Sequence, residues 1–302
     1  MLKSINPYND EVIGEFNQLK VEEIENFLNY ALEGFTAWRQ TEFKDRSRFL
    51  RNLASELKEN KEEYATLISQ EMGKVIKESK KEVDKSAMAL EYFAEHGEKY
   101  LKEEITKAGE GEGQIIYEPM GVVLAIMPWN YPFWQFFRFA ATTLMAGNVI
   151  ILKHSSDVPA CSEKIEEIFD KACFPGGVFQ KLITSSSNIN HVIKDFRVQG
   201  VSLTGGIAAG SDVAEHAGRH IKKVVLELGG SDPFIVLEDA DLKKAAKSGV
   251  KSRMKNFGQS CDAAKRFILH ESIADEFLEE FKKELESWNF GDPLDENSDY
   301  AS

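Results

Sequence analysis

The sequence predicts an α/β fold: a doubly wound parallel sheet, followed by the start of a second α/β unit. Three observations carry this. From residue 121 onward, short apolar runs alternate with helical patterns, and 121–127 reads Gly-Val-Val-Leu-Ala-Ile-Met without a polar break. The runs at 149–153, 178–183, 200–203, 224–226 and 234–237 are of the same kind, and uninterrupted apolar strands belong to sheets covered on both faces. Helical stretches separate most of them, among them 133–146, 160–172 and 241–255. These supply the right-handed crossovers that join parallel neighbours.

The N-terminal third is built differently. Residues 2–20 alternate around the turn signal Asn6-Pro7-Tyr8-Asn9-Asp10 and predict an edge hairpin. From 21 to 38, Ile24, Phe27, Leu28, Ala31, Leu32, Phe35 and Trp38 form one helical stripe. Amphipathic helices follow over 45–59, 61–72 and 77–100, read as core-packing elements that carry no chemistry. Glycines two apart in Gly109-Glu110-Gly111-Glu112-Gly113 then break the helix. The flanks, 104–107 and 114–118, predict a protruding hairpin that is either a partner surface or a mobile loop.

The 302 residues allow about two domains, and 42% hydrophobic content supports a sizeable core. A formal net charge of −13 without a long Lys/Arg run argues against nucleic-acid and anionic-membrane partners. The three cysteines, Cys161, Cys173 and Cys261, are odd in number and widely spaced, so neither a disulfide framework nor a metal site is indicated. The N-terminus lacks the apolar core of a signal peptide and no run is long enough to span a membrane. A cytoplasmic protein is expected.

In a doubly wound sheet, ligands bind beyond the carboxyl ends of the strands. After 121–127 comes Pro128-Trp129-Asn130-Tyr131-Pro132, where two prolines stiffen the turn. Asn130 there either presents its amide NH2 to an oxyanion or bonds its own backbone. Lys153-His154-Ser155-Ser156 follows the next strand, and Lys153 is within reach of a ribose or phosphate, or else a surface lysine. Thr204-Gly205-Gly206-Ile207-Ala208-Ala209-Gly210 is a glycine-bearing strand-to-helix turn, open to a pyrophosphate. Glu227-Leu228-Gly229-Gly230 puts a carboxylate with room beside it at a strand end, as a general base or a cap. Asn256-Phe257-Gly258-Gln259-Ser260-Cys261 ends a loop before the strand 266–269. Cys261 is either a small core thiol, the commoner use of a free cysteine, or a nucleophile facing the cleft; the polar neighbours Gln259, Ser260 and Asp262 weaken the first reading, and the motifs elsewhere in the chain reverse it. A dinucleotide along the strand ends, with a thiol, a carboxylate and an amide converging on one carbonyl, fits oxidation of an aldehyde through a thioester.

These motifs, in this order and spacing, resemble the NAD(P)-dependent aldehyde dehydrogenase superfamily. The resemblance runs from Met127-Pro128-Trp129-Asn130 through Leu152-Lys153-His154, Thr204-Gly205-Gly206 and Glu227-Leu228-Gly229-Gly230 to Cys261. The run from Phe133-Trp134-Gln135 to Arg138 and the segment Lys153-His154-Ser155 look like the succinate-semialdehyde dehydrogenase branch. It implies Cys261 as nucleophile, Glu227 as base and Asn130 as oxyanion donor. The cofactor would be held by Met127, Pro128, Trp129, Lys153, Ser155, Ser156, Thr204, Gly205, Gly206, Gly210 and Leu228. Arg138 would hold the carboxylate of a small aldehyde substrate. Ser156, where NAD-preferring members often carry glutamate, implies NADP, with NAD as the alternative. The implied domains are a Rossmann-like cofactor domain (1–103 and 120–229), an oligomerisation hairpin (104–119) and the first part of a catalytic domain (230–302). A homodimer or homotetramer is implied for the full-length family.

Two departures bear on these expectations. Asp262 stands where the family usually has a neutral residue, and a facing carboxylate disfavours a thiolate. The chain also stops near Gly291-Asp292-Pro293, a segment that in the family lies inside the catalytic domain. The alternatives are therefore a fragment that binds NAD(P) or a partner without turnover, or an active enzyme for another aliphatic or carboxylated aldehyde.

Overall fold

A computed structural model describes residues 1–109 and 111–301. Glu110, inside the expected hairpin, lies outside the described residues. The chain opens with the antiparallel pair β1 (Leu2–Ile5) and β2 (Val12–Phe16). Four helices follow: α1 (Val21–Trp38), α2 (Phe43–Glu59), α3 (Lys61–Met72) and α4 (Ile76–Tyr100). The α1 stripe buries Ile24, Leu28, Ala31, Phe35 and Trp38. Leu32, expected on it, is 37% exposed because it falls on the stripe's outer margin. Strands β3 (Glu104–Ala108) and β4 (Gly111–Ile115) pair antiparallel and leave Ile105 and Ile115 in solvent.

The rest alternates as expected: β5 (Val122–Met127), α5 (Pro132–Met145), β6 (Val149–His154), α6 (Pro159–Lys171), β7 (Phe179–Lys181), α7 (Ser186–Lys194), β8 (Val198–Gly205), α8 (Ile207–Arg219) and β9 (Lys223–Leu228). All five strands are parallel in the order β7-β6-β5-β8-β9. The first strand of the set, β5, is therefore central, and the chain winds outward from it in both directions. The switch point, between the ends of β5 and β8, is where such sheets bind ligands. The helices α5 and α6 pack with α2 to α4, whereas α1 packs with α7, and α7 with α8.

β5 and β6 are buried along almost their whole length, and Phe133, Phe136 and Phe137 of α5 are fully buried beside them. β9 departs from the two-faced burial expected of its apolar run. It is an edge strand, with Val225 57% exposed. Beyond it, β10 (Asp232–Val236), α9 (Leu242–Met254), β11 (Ala264–Leu269) and α10 (Ala274–Glu286) form a second unit. β10 and β11 pair in parallel, and Val236, Ala246, Ile273 and Phe277 make a separate small core. Among the described residues, no helix is long and apolar enough to cross a membrane.

Candidate active site

The sheet's carboxyl edge and the start of the second unit enclose a cleft of about 730 Å³. Asn130, Glu227 and Cys261 all line it, with Pro128, Trp129, Thr204, Gly205, Gly206, Leu228 and Arg138. Three elements thus bring the expected catalytic trio to one space: the β5–α5 turn, the end of β9 and the loop before β11. Cys261 is exposed there, whereas Cys161 is fully buried within α6. Burial raises the Cys161 thiol well above its ordinary range, and the Glu71 carboxylate adds to the rise.

The loop that carries Cys261 is held in an uncommon conformation. Asn256, Phe257 and Gly258 have φ of 48°, 53° and 79°, three left-handed residues in succession. Only the glycine adopts this without cost; for the phenylalanine it is strain of about 1–3 kcal/mol. Specific contacts offset it. The Phe257 ring stacks on Tyr300 at 5.4 Å, and Asn256 N donates to Glu78 Oε2 at 2.9 Å. Asn256 Nδ2 donates to Asn130 O at 2.8 Å, and Asn130 Nδ2 donates to Gln259 O at 2.8 Å. The nucleophile loop and the oxyanion turn are therefore laced together. An amide NH2 has two N–H groups, and Gln259 O accepts from only one.

Asp262 is compensated locally. Burial raises its carboxyl, but hydrogen bonds from Lys255, 2.7 Å away, and from Ser260 outweigh that and hold it below the ordinary aspartate range. The departure from the family pattern comes with a counter-charge. Arg138 Nη2 lies 3.5 Å from Glu227 Oε2, so the expected substrate and base residues face each other.

Sequence reasoning missed one wall of the cleft. The α4 helix was expected to carry no chemistry, yet Glu78, Lys81, Glu82 and Lys85 line the cleft. Their spacing places them on one helical face, which was the available signal. Lys74 and Glu82 form a wholly buried ion pair. Lys74 also donates to Asn130 O at 3.0 Å and sits 3.8 Å over the Tyr131 ring. Glu82 accepts from Phe133 N and Trp134 N at 2.9 and 3.0 Å, the first turn of α5. Glu71 does the same for α6, accepting from Ala160 N and Cys161 N at 2.7 and 2.6 Å.

These two carboxylates occupy the helix ends that would otherwise attract an anion. The α8 end differs. Its cap is Gly206, exposed, with no side-chain cap and nothing within 4 Å of where a Cβ would stand. A pyrophosphate fits this open end. Lys153 fits an anion as well: burial lowers its ammonium, Asp157 only partly opposes this, and among the described residues it has no acceptor.

Not every expected cofactor residue lines the main cleft. Lys153, Ser155 and Ser156 line a separate crevice with Ser162. The Met127 side chain is buried in the core, and its carbonyl accepts from Ser155 N at 2.9 Å. Gly210 is buried against Leu228, where a Cβ would come within 2.7 Å of Cδ2. Its role in this structure is close packing of α8 on β9. Buried polar atoms without a protein partner include Asn130 Oδ1 and Gln135 Oε1 at the cleft, Asn256 Oδ1 in the loop that carries Cys261, and Ser162 Oγ at the crevice. Such atoms mark places where a ligand or water completes the bonding.

His154 joins these parts. Nε2 bonds Pro132 O at 2.9 Å and Nδ1 accepts from Ser155 N at 3.0 Å. Burial lowers its pKa to about 4, so it is neutral in the fold. Below about pH 6.5 the unfolded chain binds the extra proton and the fold does not. Stability is therefore full above that pH and falls toward pH 4 by up to about 1.4 kcal/mol per unit. Urea unfolding at pH 7 and pH 5 checks this. His154→Gln is expected to flatten the dependence, and an unchanged slope would refute the assignment.

The chain is similar to known proteins along its whole length. Residues 1–302 match the aldehyde dehydrogenase family. A probable NADP(+) succinate-semialdehyde dehydrogenase of Synechocystis sp. is 45% identical over 97% of this chain and 64% of its own length. A succinate semialdehyde dehydrogenase of Escherichia coli named for NAD(P)+ is 43% identical over 98% of this chain and 64% of its own. The crystal structure of succinic semialdehyde dehydrogenase from Streptococcus pyogenes with NADP+ superposes with a TM-score of 0.96 at 33% identity, covering 99% of this chain and 66% of that one. The chain spans 64% of the length of the two curated relatives. Matched along its whole span and more than two-fifths identical to relatives from separate bacteria, the chain belongs to the aldehyde dehydrogenase family.

Proposed function

We propose that this protein oxidises a carboxylated aldehyde, succinate semialdehyde foremost, to the acid with NADP+. The observation that carries the proposal is the convergence of Cys261, Glu227 and Asn130 on one cleft that also holds Arg138. The Cys261 thiolate attacks the carbonyl carbon, a C–S bond forms and charge collects on the oxygen. The free N–H of Asn130 and the Cys261 backbone N–H stabilise that charge. NADP+, when bound, supplies the hydride acceptor. Glu227 then takes a proton from water, the hydroxide adds to the thioester carbon, and the C–S bond breaks to return the thiolate. Glu227 must leave Arg138 to do so, and a substrate carboxylate on Arg138 supplies the exchange. We read the doubly wound unit as the cofactor half and residues 230–302 as part of the catalytic half, in a cytoplasmic protein.

Two measurements test the ligands. Arg138→Ala is expected to raise KM for succinate semialdehyde about 10- to 100-fold, the loss of a charged hydrogen bond, with less effect on a neutral aldehyde. An unchanged KM would remove Arg138 from the substrate site. The name of the Synechocystis relative, the solved complex with NADP+ and Ser156 beside Lys153 support NADP, while the name of the Escherichia coli relative admits either cofactor. Ser156→Glu adds a carboxylate against the 2′-phosphate and is expected to cut kcat/KM for NADP+ about tenfold or more relative to NAD+. A ratio unmoved by that change would place the 2′-phosphate elsewhere.

A further inference from the structure

Five basic side chains line the cleft: Lys81, Lys85, Arg138, Lys255 and Lys265. Three are engaged. Arg138 faces Glu227 at 3.5 Å, Lys255 lies 2.7 Å from Asp262, and Lys265 donates to the Cys261 carbonyl at 2.6 Å. Lys85 has no carboxylate or carbonyl acceptor among the described residues. Its ammonium rests 3.8 Å from the centroid of the Trp134 ring, which lines the same cleft. An aromatic face seats a cation without neutralising it. Trp134 and Arg138 are one helical turn apart on α5, so they share a face, and α4 packs along α5 to bring Lys85 beside them. Lys85 itself is solvent-exposed in the cleft wall. Even so, partial burial lowers the Lys85 ammonium, Lys255 and Arg138 lower it further, and Asp262 and Glu82 oppose them. A cation held on an aromatic face beside like charges gains from an arriving anion.

We propose that Lys85 is a second recognition residue for the substrate's carboxylate, bracketing it with Arg138 across the Trp134 face. This rests on the reading of Cys261 as the group that meets the aldehyde carbon. Arg138 shares its charge with Glu227, and of the two remaining lysines, Lys81 and Lys85, Lys85 is the one seated on the aromatic face. A carboxylate drawn to Lys85 also lets Arg138 release Glu227.

The test reads alkylation of Cys261 rather than turnover. Iodoacetate and iodoacetamide deliver the same carbon and differ in charge, and peptide mass spectrometry separates Cys261 from the exposed Cys173. The iodoacetate-to-iodoacetamide rate ratio at Cys261 is expected to fall about threefold or more in Lys85→Gln and to return in Lys85→Arg. Lys81→Gln, one turn away without the aromatic seat, is expected to lower it less than Lys85→Gln. An unchanged ratio in Lys85→Gln, or an equal fall in Lys81→Gln, would overturn the proposal. If iodoacetamide labels Cys173 but not Cys261 in the folded protein, the reading of Cys261 as the cleft nucleophile fails, and the proposal falls with it.

Discussion

Under the proposed function, Cys261→Ala is expected to lower NADP+ reduction with succinate semialdehyde by at least about 10³-fold, while the fold and cofactor affinity survive. The sulfur is exposed at the end of a loop, so its removal opens no cavity, and surface changes of this size stay within about 0.5 kcal/mol. The backbone N–H of residue 261 remains in place. What disappears is the trio's thiol, by far its strongest nucleophile toward the aldehyde carbon. Trp129 and Trp134 line the same cleft, so cofactor binding can be followed by quenching of their fluorescence in both proteins. Retained binding with lost turnover is the expected pair of results. Normal turnover in the alanine protein would mean that another group performs the attack.

Lys74→Met or Glu82→Leu, made singly, costs about 3–5 kcal/mol, the usual consequence of leaving one buried charge without its partner. The two side chains are 0% and 1% exposed, so solvent cannot make up the loss. Each also performs a task at the site. Lys74 holds the Asn130 carbonyl, and Glu82 holds the first N–H groups of α5. The double variant Lys74→Met with Glu82→Leu removes both charges together and should recover part of the stability. It leaves the Asn130 turn unclamped and the α5 end short of acceptors, so kcat should remain low while the KM for NADP+ moves little. Chemical unfolding and steady-state kinetics on the three proteins check this. If the double variant regained full kcat, the pair would be a folding element only.

The doubly wound sheet was legible because its strands announce themselves as unbroken apolar runs and its turns by proline and glycine. The same logic pointed to Asn130 and Glu227, since groups at the carboxyl ends of strands face the cleft of such a sheet, whereas Cys261 was marked by the polar loop that leads into β11. The α4 wall was not legible in the same way. Periodicity tells which helical face is polar, but a buried Glu82 and a solvated Asp84 look alike until something packs over one of them. The left-handed stretch at Asn256 and Phe257 was hidden for a related reason: phenylalanine is a poor signal for that conformation, and its support, Tyr300, comes from far along the chain. Met127 and Gly210 show the converse. Their positions match the family's cofactor segments, yet here the first is core and the second is a packing contact.

The proposed turnover needs one sulfur to meet one carbonyl carbon beside one carboxylate. The most direct measurement is peptide mass spectrometry of Glu227→Gln incubated with succinate semialdehyde and NADP+. Without the base, the thioester should persist, and a succinyl adduct should accumulate on the peptide bearing Cys261. An adduct on Cys173, or none while NADPH is still formed, would contradict it.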